Sequence, residues 1–308
     1  MGSSAAQAPQ ALDDLDDMSR PQGRLVDIGD IRLFVVELGP DDGHPLLVFH
    51  GGPGLDHREF GDYLDPLADR GHRVVLVDER AQGRSDPGPV ERWSLEQIAA
   101  DVTALAGALG LERYATLGHS FGAFVVLQHA VDQPGAAAQT IVSGGLPSMR
   151  FLEQVQRNLE TFEPAALREQ VQRSWDEEAT LQTQEDFARW LHDQLPFHFA
   201  DPLDPRIEEF ERRTVGAVFA PDVIRHFAAR GYGGIEVEDR LGGVTQPVLV
   251  LAGRHDRTCV VEGAEVIAAG IPNARLVVFE HSAHMTFVEE QDAYLDAVDL
   301  FLKKAAGR

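Results

Sequence analysis

The feature that most constrains this chain is Gly118-His119-Ser120-Phe121-Gly122, set between the apolar run Tyr114-Ala115-Thr116-Leu117 and an amphipathic segment from Ala123 to Val131. The pattern predicts a strand, a sharp turn and a helix, the setting of a nucleophile elbow. A residue at the tip of so tight a turn sits in strained backbone, and side chains two residues to either side would collide. Glycine at 118 and 122 removes the collision. Ser120 is then expected to project its hydroxyl into a cleft, with the Phe121 amide and the start of a helix dipole beside it, which favours a developing negative charge. An ordinary glycine-rich loop reads the same over five residues, so the rest of the chain must carry the argument.

That remainder alternates strands with helices. Short strands are expected at Leu25-Asp27 and Ile31-Glu37, then buried-strand runs at Pro45-Phe49 and Arg73-Asp78, with a helix-like stretch from His57 to Arg70 between them. Ser94-Leu95-Glu96-Gln97 is a capping box opening a helix to about Ala108, which Gly110 stops. Further strands are expected at Gln139-Ser143, Pro247-Leu251 and Leu276-Phe279, and helices at Glu262-Ala269 and Val288-Leu302. Such alternation implies a mostly parallel sheet with helices on both faces.

One segment departs from it. From 147 to 238 there is no buried-strand pattern, only helix-period stretches at Phe151-Phe162, Ala166-Trp175 and Gln184-Leu195, and aromatics such as Phe162, Trp175, Trp190 and Phe219 concentrate there. It is expected to be a helical cap inserted into a core domain made of residues 23–146 and 239–308, most of its aromatics being cap core and a few lining a pocket. The stretch 1–22, Ala/Ser/Gln/Asp-rich with Asp13, Asp14, Asp16 and Asp17 clustered, is expected to be a mobile tail.

The formal charge of −23 argues against nucleic-acid and anionic-membrane partners, both of which would repel the chain. No run approaches the ~18 apolar residues of a membrane span. The N-terminal stretch lacks the basic start and apolar core of a secretory leader, and the lone cysteine, Cys259, fits a reducing compartment, so a cytoplasmic location is expected. Cys259 itself reads as a small half-buried hydrophobe three residues after a candidate acid.

A serine nucleophile needs a base, and the base needs a partner that orients it. In parallel sheets such groups gather at the carboxyl ends of strands. Asp256 falls in the loop after Pro247-Leu251, and His284 in the loop after Leu276-Phe279. Singly, Asp256 reads equally as a loop-capping carboxylate and His284 as a helix N-terminal residue, while His281 and His255 compete for the role of base. Jointly, the chain order Ser120, Asp256, His284 is that of an α/β-hydrolase triad. His284 would take the serine proton, Asp256 would fix the imidazole tautomer, and amides from Phe121 and the His50-Gly51-Gly52 turn would receive the oxyanion.

His50-Gly51-Gly52-Pro53-Gly54 together with Gly118-His119-Ser120-Phe121-Gly122 resembles the prolyl aminopeptidase (proline iminopeptidase) family of capped α/β-hydrolases, from Gly23 to Lys303 and most weakly in the cap. Asp78-Glu79-Arg80-Ala81-Gln82-Gly83-Arg84-Ser85 is similar to the family's D-x-R-G-x-G-x-S loop, with Ala81 where glycine is usual. The resemblance implies an α/β-hydrolase fold and release of an N-terminal amino acid, often proline, through an acyl-serine intermediate without metal or other cofactor. It makes Ser120, Asp256 and His284 the triad, and Gly52 and Phe121 the oxyanion donors. The implied partner is a small molecule or short peptide with a free N-terminus, its α-amino group bound by acidic cap residues, because a buried ammonium must be paired. Where one branch of the family has a second acid after the aspartate, this chain has Arg257. The matching cap position makes Asp222 the candidate anchor, with Glu208 and Glu209 behind it, although Asp222 reads equally as the N-cap of a helix from Val223. An esterase, lactonase or amidase acting on a larger acylated metabolite is the alternative.

Overall fold

Eight segments form strands in the computed structural model, which describes residues 21–305: β1 (Arg24–Asp27), β2 (Arg32–Leu38), β3 (His44–Phe49), β4 (His72–Val77), β5 (Ala115–His119), β6 (Gln139–Ser143), β7 (Val248–Gly253) and β8 (Ala274–Phe279). The expected tail therefore falls, through residue 20, outside the described residues. The strands make one sheet in the order β1-β2-β4-β3-β5-β6-β7-β8, with β1 and β2 antiparallel and the pairs from β4 to β8 parallel. Strands covered on both faces read as continuous apolar runs. In β3, Leu47 and Phe49 enter one core layer, while Leu46 and Val48 enter the other.

The helices are α1 (Pro66–Asp69), α2 (Leu95–Ala108), α3 (Phe121–Asp132), α4 (Leu152–Glu160), α5 (Ala165–Glu177), α6 (Gln184–His198), α7 (Arg206–Arg213), α8 (Pro221–Ala228), α9 (Val261–Gly270), α10 (Thr286–Glu289) and α11 (Gln291–Ala305). Ser94 caps α2 by accepting the Gln97 amide at 3.2 Å. Helices α2, α3 and α9 cover one face of the sheet; α1, α10 and α11 cover the other.

Two expectations need correction. The stretch from His57 to Arg70 is not one helix but a single 3-10 turn, His57–Phe60, followed by α1, because Gly61 leaves helical space at φ 46°. The expected helix Val288-Leu302 is broken at Glu290, whose carboxylate accepts from the Ser282 hydroxyl at 2.7 Å and the His281 amide at 3.0 Å.

Helices α4 to α8 form the segment above the sheet. The chain leaves for it and returns side by side: Ser148 and Glu236 form an antiparallel bridge, flanked by bonds from Met149 N to Ile235 O and from Val237 N to Pro147 O. Helix α7 (Arg-Ile-Glu-Glu-Phe-Glu-Arg-Arg) lacked a sequence signal because it is short and offers only two apolar residues to bury, while α8 starts at Pro221 instead of the expected Val223.

Candidate active site

Strand β5 ends at His119 and α3 begins at Phe121, so Ser120 alone makes the turn, at φ 55° and ψ −115°. This backbone is costly for a non-glycine residue and persists only when its surroundings over-determine it. The two flanking glycines are needed for different reasons. A Cβ on Gly118 would lie 1.9 Å from the Gly122 carbonyl oxygen, a collision within the elbow. A Cβ on Gly122 would lie 2.3 Å from the Phe49 carbonyl oxygen, so that glycine lets the turn approach β3. The Ser120 amide donates to Ser143 O at 2.9 Å and ties the elbow to β6.

Asp256 follows β7 and His284 follows β8, at the same end of the sheet as Ser120. His284 Nδ1 lies 2.7 Å from Asp256 Oδ2, and both side chains are buried. The other aspartate oxygen accepts from Thr258 N at 2.9 Å, Thr258 Oγ1 at 2.9 Å and Cys259 N at 2.8 Å. Burial alone would raise the Asp256 pKa, but the charge and hydrogen bond of His284 and these donors hold it below the ordinary carboxylate value. Burial alone would lower that of His284, and Asp256 outweighs it and holds the imidazole above its ordinary value. With Nδ1 committed to Asp256, Nε2 is the atom left to accept a proton. His255 and His281, the competing bases, are exposed.

Two further imidazoles flank His284. The ring of His119 lies 4.8 Å away and that of His198 5.2 Å away, centroid to centroid. Burial pushes His119 well below the ordinary histidine range and His198 down to about 3, so neither carries a competing charge. His198 had no sequence signal: it ends α6, whose return over the site is a tertiary fact, and its carbonyl accepts the His284 amide at 3.0 Å. Arg257 continues this contact by donating to Phe197 O, Phe199 O and Ala200 O at 3.1, 2.7 and 3.1 Å.

Ser120, His284, Gly52 and Phe121 line one cavity of about 370 Å³, roofed by Trp175, Trp190 and Phe219. Gly52 turns the chain at φ 113°, and Phe121 opens α3. Of the neighbouring amides, Gly51 N donates to Glu59 Oε2 at 2.5 Å and Gly54 N donates to Gln82 Oε1. Three acids reach the cavity wall without having been expected there, Asp56 and Glu59 from the core and Glu178 from the cap. Asp56 is already engaged by Arg58 N, Val218 N and Arg84 Nη1, which leaves Glu59 and Glu178. Burial pushes each up to about 7, and the Tyr232 hydroxyl donates to Glu178 Oε2 at 2.6 Å. Cys259 also lines the cavity, its thiol pKa pushed well up by burial.

Asp222 does not join this group. Helix α8 starts at Pro221 with Ala220 as its N-cap, so Asp222 falls in the first turn, its side chain 75% exposed and ion-paired with Arg225 three residues on. It neither caps the helix nor lines the cavity. Glu208 is exposed, and Glu209 faces Arg213 at 3.6 Å.

Among the described residues, metal-ligand atoms converge at Asp56, His57 and Asp78. Their carboxylates are already taken: Asp78 accepts from His57 N, His57 Nδ1 and Arg84 N, and Asp56 from Arg58 N, Val218 N and Arg84 Nη1. This group is an internal brace that also ties the cap, through Val218, to the core. No helix among the described residues is long and apolar enough to cross a membrane.

Comparison with known proteins agrees with this architecture. A proline iminopeptidase of Saccharolobus solfataricus is 29% identical over 269 residues, covering 83% of this chain and 84% of its own length. One from Clostridium botulinum is 27% identical over 275 residues, covering 84% and 90%. The crystal structure of a Mycobacterium smegmatis proline iminopeptidase superposes with a TM-score of 0.72 at 26% identity, covering 92% of this chain and 98% of that one. The sequence profile of the α/β hydrolase fold matches residues 44–291, and the chain belongs to that family.

Proposed function

We propose that this protein is a serine hydrolase that releases an N-terminal amino acid, proline or another small apolar residue, from short peptides or aminoacyl amides through an acyl-serine intermediate. The observation that carries this reading is the 2.7 Å contact between His284 Nδ1 and buried Asp256, at the sheet end where Ser120 lines the same cavity as His284. Ser120 attacks the acyl carbon and passes its proton to His284 Nε2, while Asp256 steadies the imidazolium. The oxyanion is received by the Gly52 and Phe121 amides, and loss of one such donor costs about 10²–10³ in rate. His284 then protonates the leaving amine, and water repeats the sequence in reverse roles to free the amino acid. The relatives named as proline iminopeptidases support the aminoacyl substrate.

The cavity's apolar walls and the outward turn of Asp222 favour one second reading, an esterase, lactonase or amidase acting on an acylated metabolite. A substrate panel separates the two: prolyl, alanyl and N-acetyl-prolyl naphthylamides beside p-nitrophenyl acetate and butyrate, with wild type and Ser120→Ala. Cleavage of the prolyl or alanyl amides with the N-acetyl compound left intact is the expected result. Turnover of the esters alone would establish the second reading, and wild-type activity in Ser120→Ala would overturn both.

A further inference from the structure

Glu59 follows the His50-Gly51-Gly52-Pro53-Gly54 turn within the 3-10 turn His57–Phe60, and its buried carboxylate lines the cavity. Its Oε2 accepts the Gly51 amide at 2.5 Å, and its Oε1 lies 4.0 Å from His119 Nε2. A Cβ placed on Gly51 would be 2.6 Å from Glu59 Oε1 and 3.1 Å from Ser120 Cβ. Carboxylate and nucleophile therefore flank the same glycine. The proposed triad makes no use of this acid, and its charge opposes the chemistry beside it, because an anion next to an oxyanion site destabilises the transition state in a low-dielectric cavity. His119, buried and neutral, cannot compensate it.

A cation brought by the substrate resolves both difficulties. The α-ammonium of an aminoacyl group is two bonds from the carbonyl carbon that Ser120 attacks, so it must lie in the neighbourhood of the serine. We propose that Glu59 anchors the free amino group of the substrate, Oε1 taking an ammonium N–H while Oε2 keeps the Gly51 amide. This rests on the serine hydrolase reading above. It places the anchor in the hydrolase core and makes substrates without a free amine face an unpaired buried anion, which is discrimination by repulsion as well as attraction. No other acid near the cavity competes on equal terms: Asp222 is paired outward with Arg225, one Glu178 oxygen is held by Tyr232, and both Asp56 oxygens are taken by Arg58 N, Val218 N and Arg84 Nη1.

The test is the ratio of kcat/KM for alanyl naphthylamide to that for propionyl naphthylamide, which differ by the amino group alone. Glu59→Gln removes the charge but keeps an acceptor for Gly51 N–H. It is expected to lower the ratio about a hundredfold, mainly through KM for the alanyl compound. Glu59→Asp, which keeps the charge, is expected to hold the ratio well above that of Glu59→Gln and serves where the glutamine variant does not fold. An unchanged ratio in Glu59→Gln, with Glu59→Ala slowing both compounds alike, would reduce Glu59 to a brace of the turn and overturn the proposal. A hundredfold fall in Glu178→Gln with the ratio kept in Glu59→Gln would move the anchor to the cap and overturn it too. Hydrolysis of p-nitrophenyl propionate by Ser120→Ala at the wild-type rate would instead sink the underlying hydrolase reading.

Discussion

The imidazole of His119 packs against that of His284, with centroids 4.8 Å apart and planes tilted by 45°. His119 is the variable residue before the serine in the elbow, so one tight turn carries both the candidate nucleophile and a wall for the candidate base. Because burial keeps His119 and His198 neutral, His284 can take up a proton without facing a second imidazolium. A base of this kind works only when unprotonated, so kcat/KM should fall as pH drops through the His284 pKa, which Asp256 holds above the ordinary histidine value against the opposing effect of burial. Asp256→Asn should move that acid limb to lower pH and reduce kcat about 10⁴-fold. Profiles of kcat/KM against pH for both proteins check this; a limb that stays in place would show that another group controls it.

Arg257 binds three carbonyls at the end of α6 and just beyond, next to the carbonyl that receives the His284 amide. The guanidinium thus fastens the cap to the loop that carries Asp256. Removing it leaves buried carbonyls unpaired, at a cost of about 2–3 kcal/mol. Arg257→Ala should lower Tm by roughly 5 °C and weaken substrate binding, with Arg257→Lys recovering part of each. Calorimetry beside steady-state kinetics checks it, and a Tm within a degree of wild type would mean that the cap is held elsewhere.

Ala81 stands at φ 65°, in the left-handed region, within the loop where the resembling family has glycine. A Cβ there costs about 1–2 kcal/mol, whereas glycine gives back roughly half of that through the freedom of the unfolded chain. Ala81→Gly should therefore stabilise the protein by about 0.5–1 kcal/mol, read as a rise in the urea midpoint at unchanged slope. A lower midpoint would show that surrounding contacts fully offset the strain.

Most of the sheet was legible because strands buried on both faces cannot avoid continuous apolar runs, as in Leu46-Leu47-Val48-Phe49 and Val248-Leu249-Val250-Leu251. Ser120 was legible because only glycine fits at 118 and 122. The choice of His284 over His281 was open, since it depends on which side of one short loop faces inward. Glu59, Glu178 and His198 were illegible: each lies in a polar or mixed segment, and what makes it part of the cavity is burial by elements distant in sequence. The same reason misdirected the reading of Asp222. Family position brought it near the site, but the start of α8 at Pro221 sets it one turn from Arg225, which takes its charge outward.

That placement yields the last prediction. An exposed pair between residues three apart contributes about 0–1 kcal/mol, so Asp222→Asn should shift Tm by no more than about 2 °C. Since Asp222 does not line the cavity, the ratio of kcat/KM for prolyl naphthylamide to that for its N-acetyl derivative should stay within about twofold of wild type, a change worth under about 0.5 kcal/mol. Measuring this ratio beside that of Glu59→Gln compares two acids of the same sign on opposite sides of the cavity wall. If Asp222→Asn collapses the preference for a free amine while leaving Tm untouched, α8 must turn during substrate binding and bring Asp222 inward, breaking its pair with Arg225.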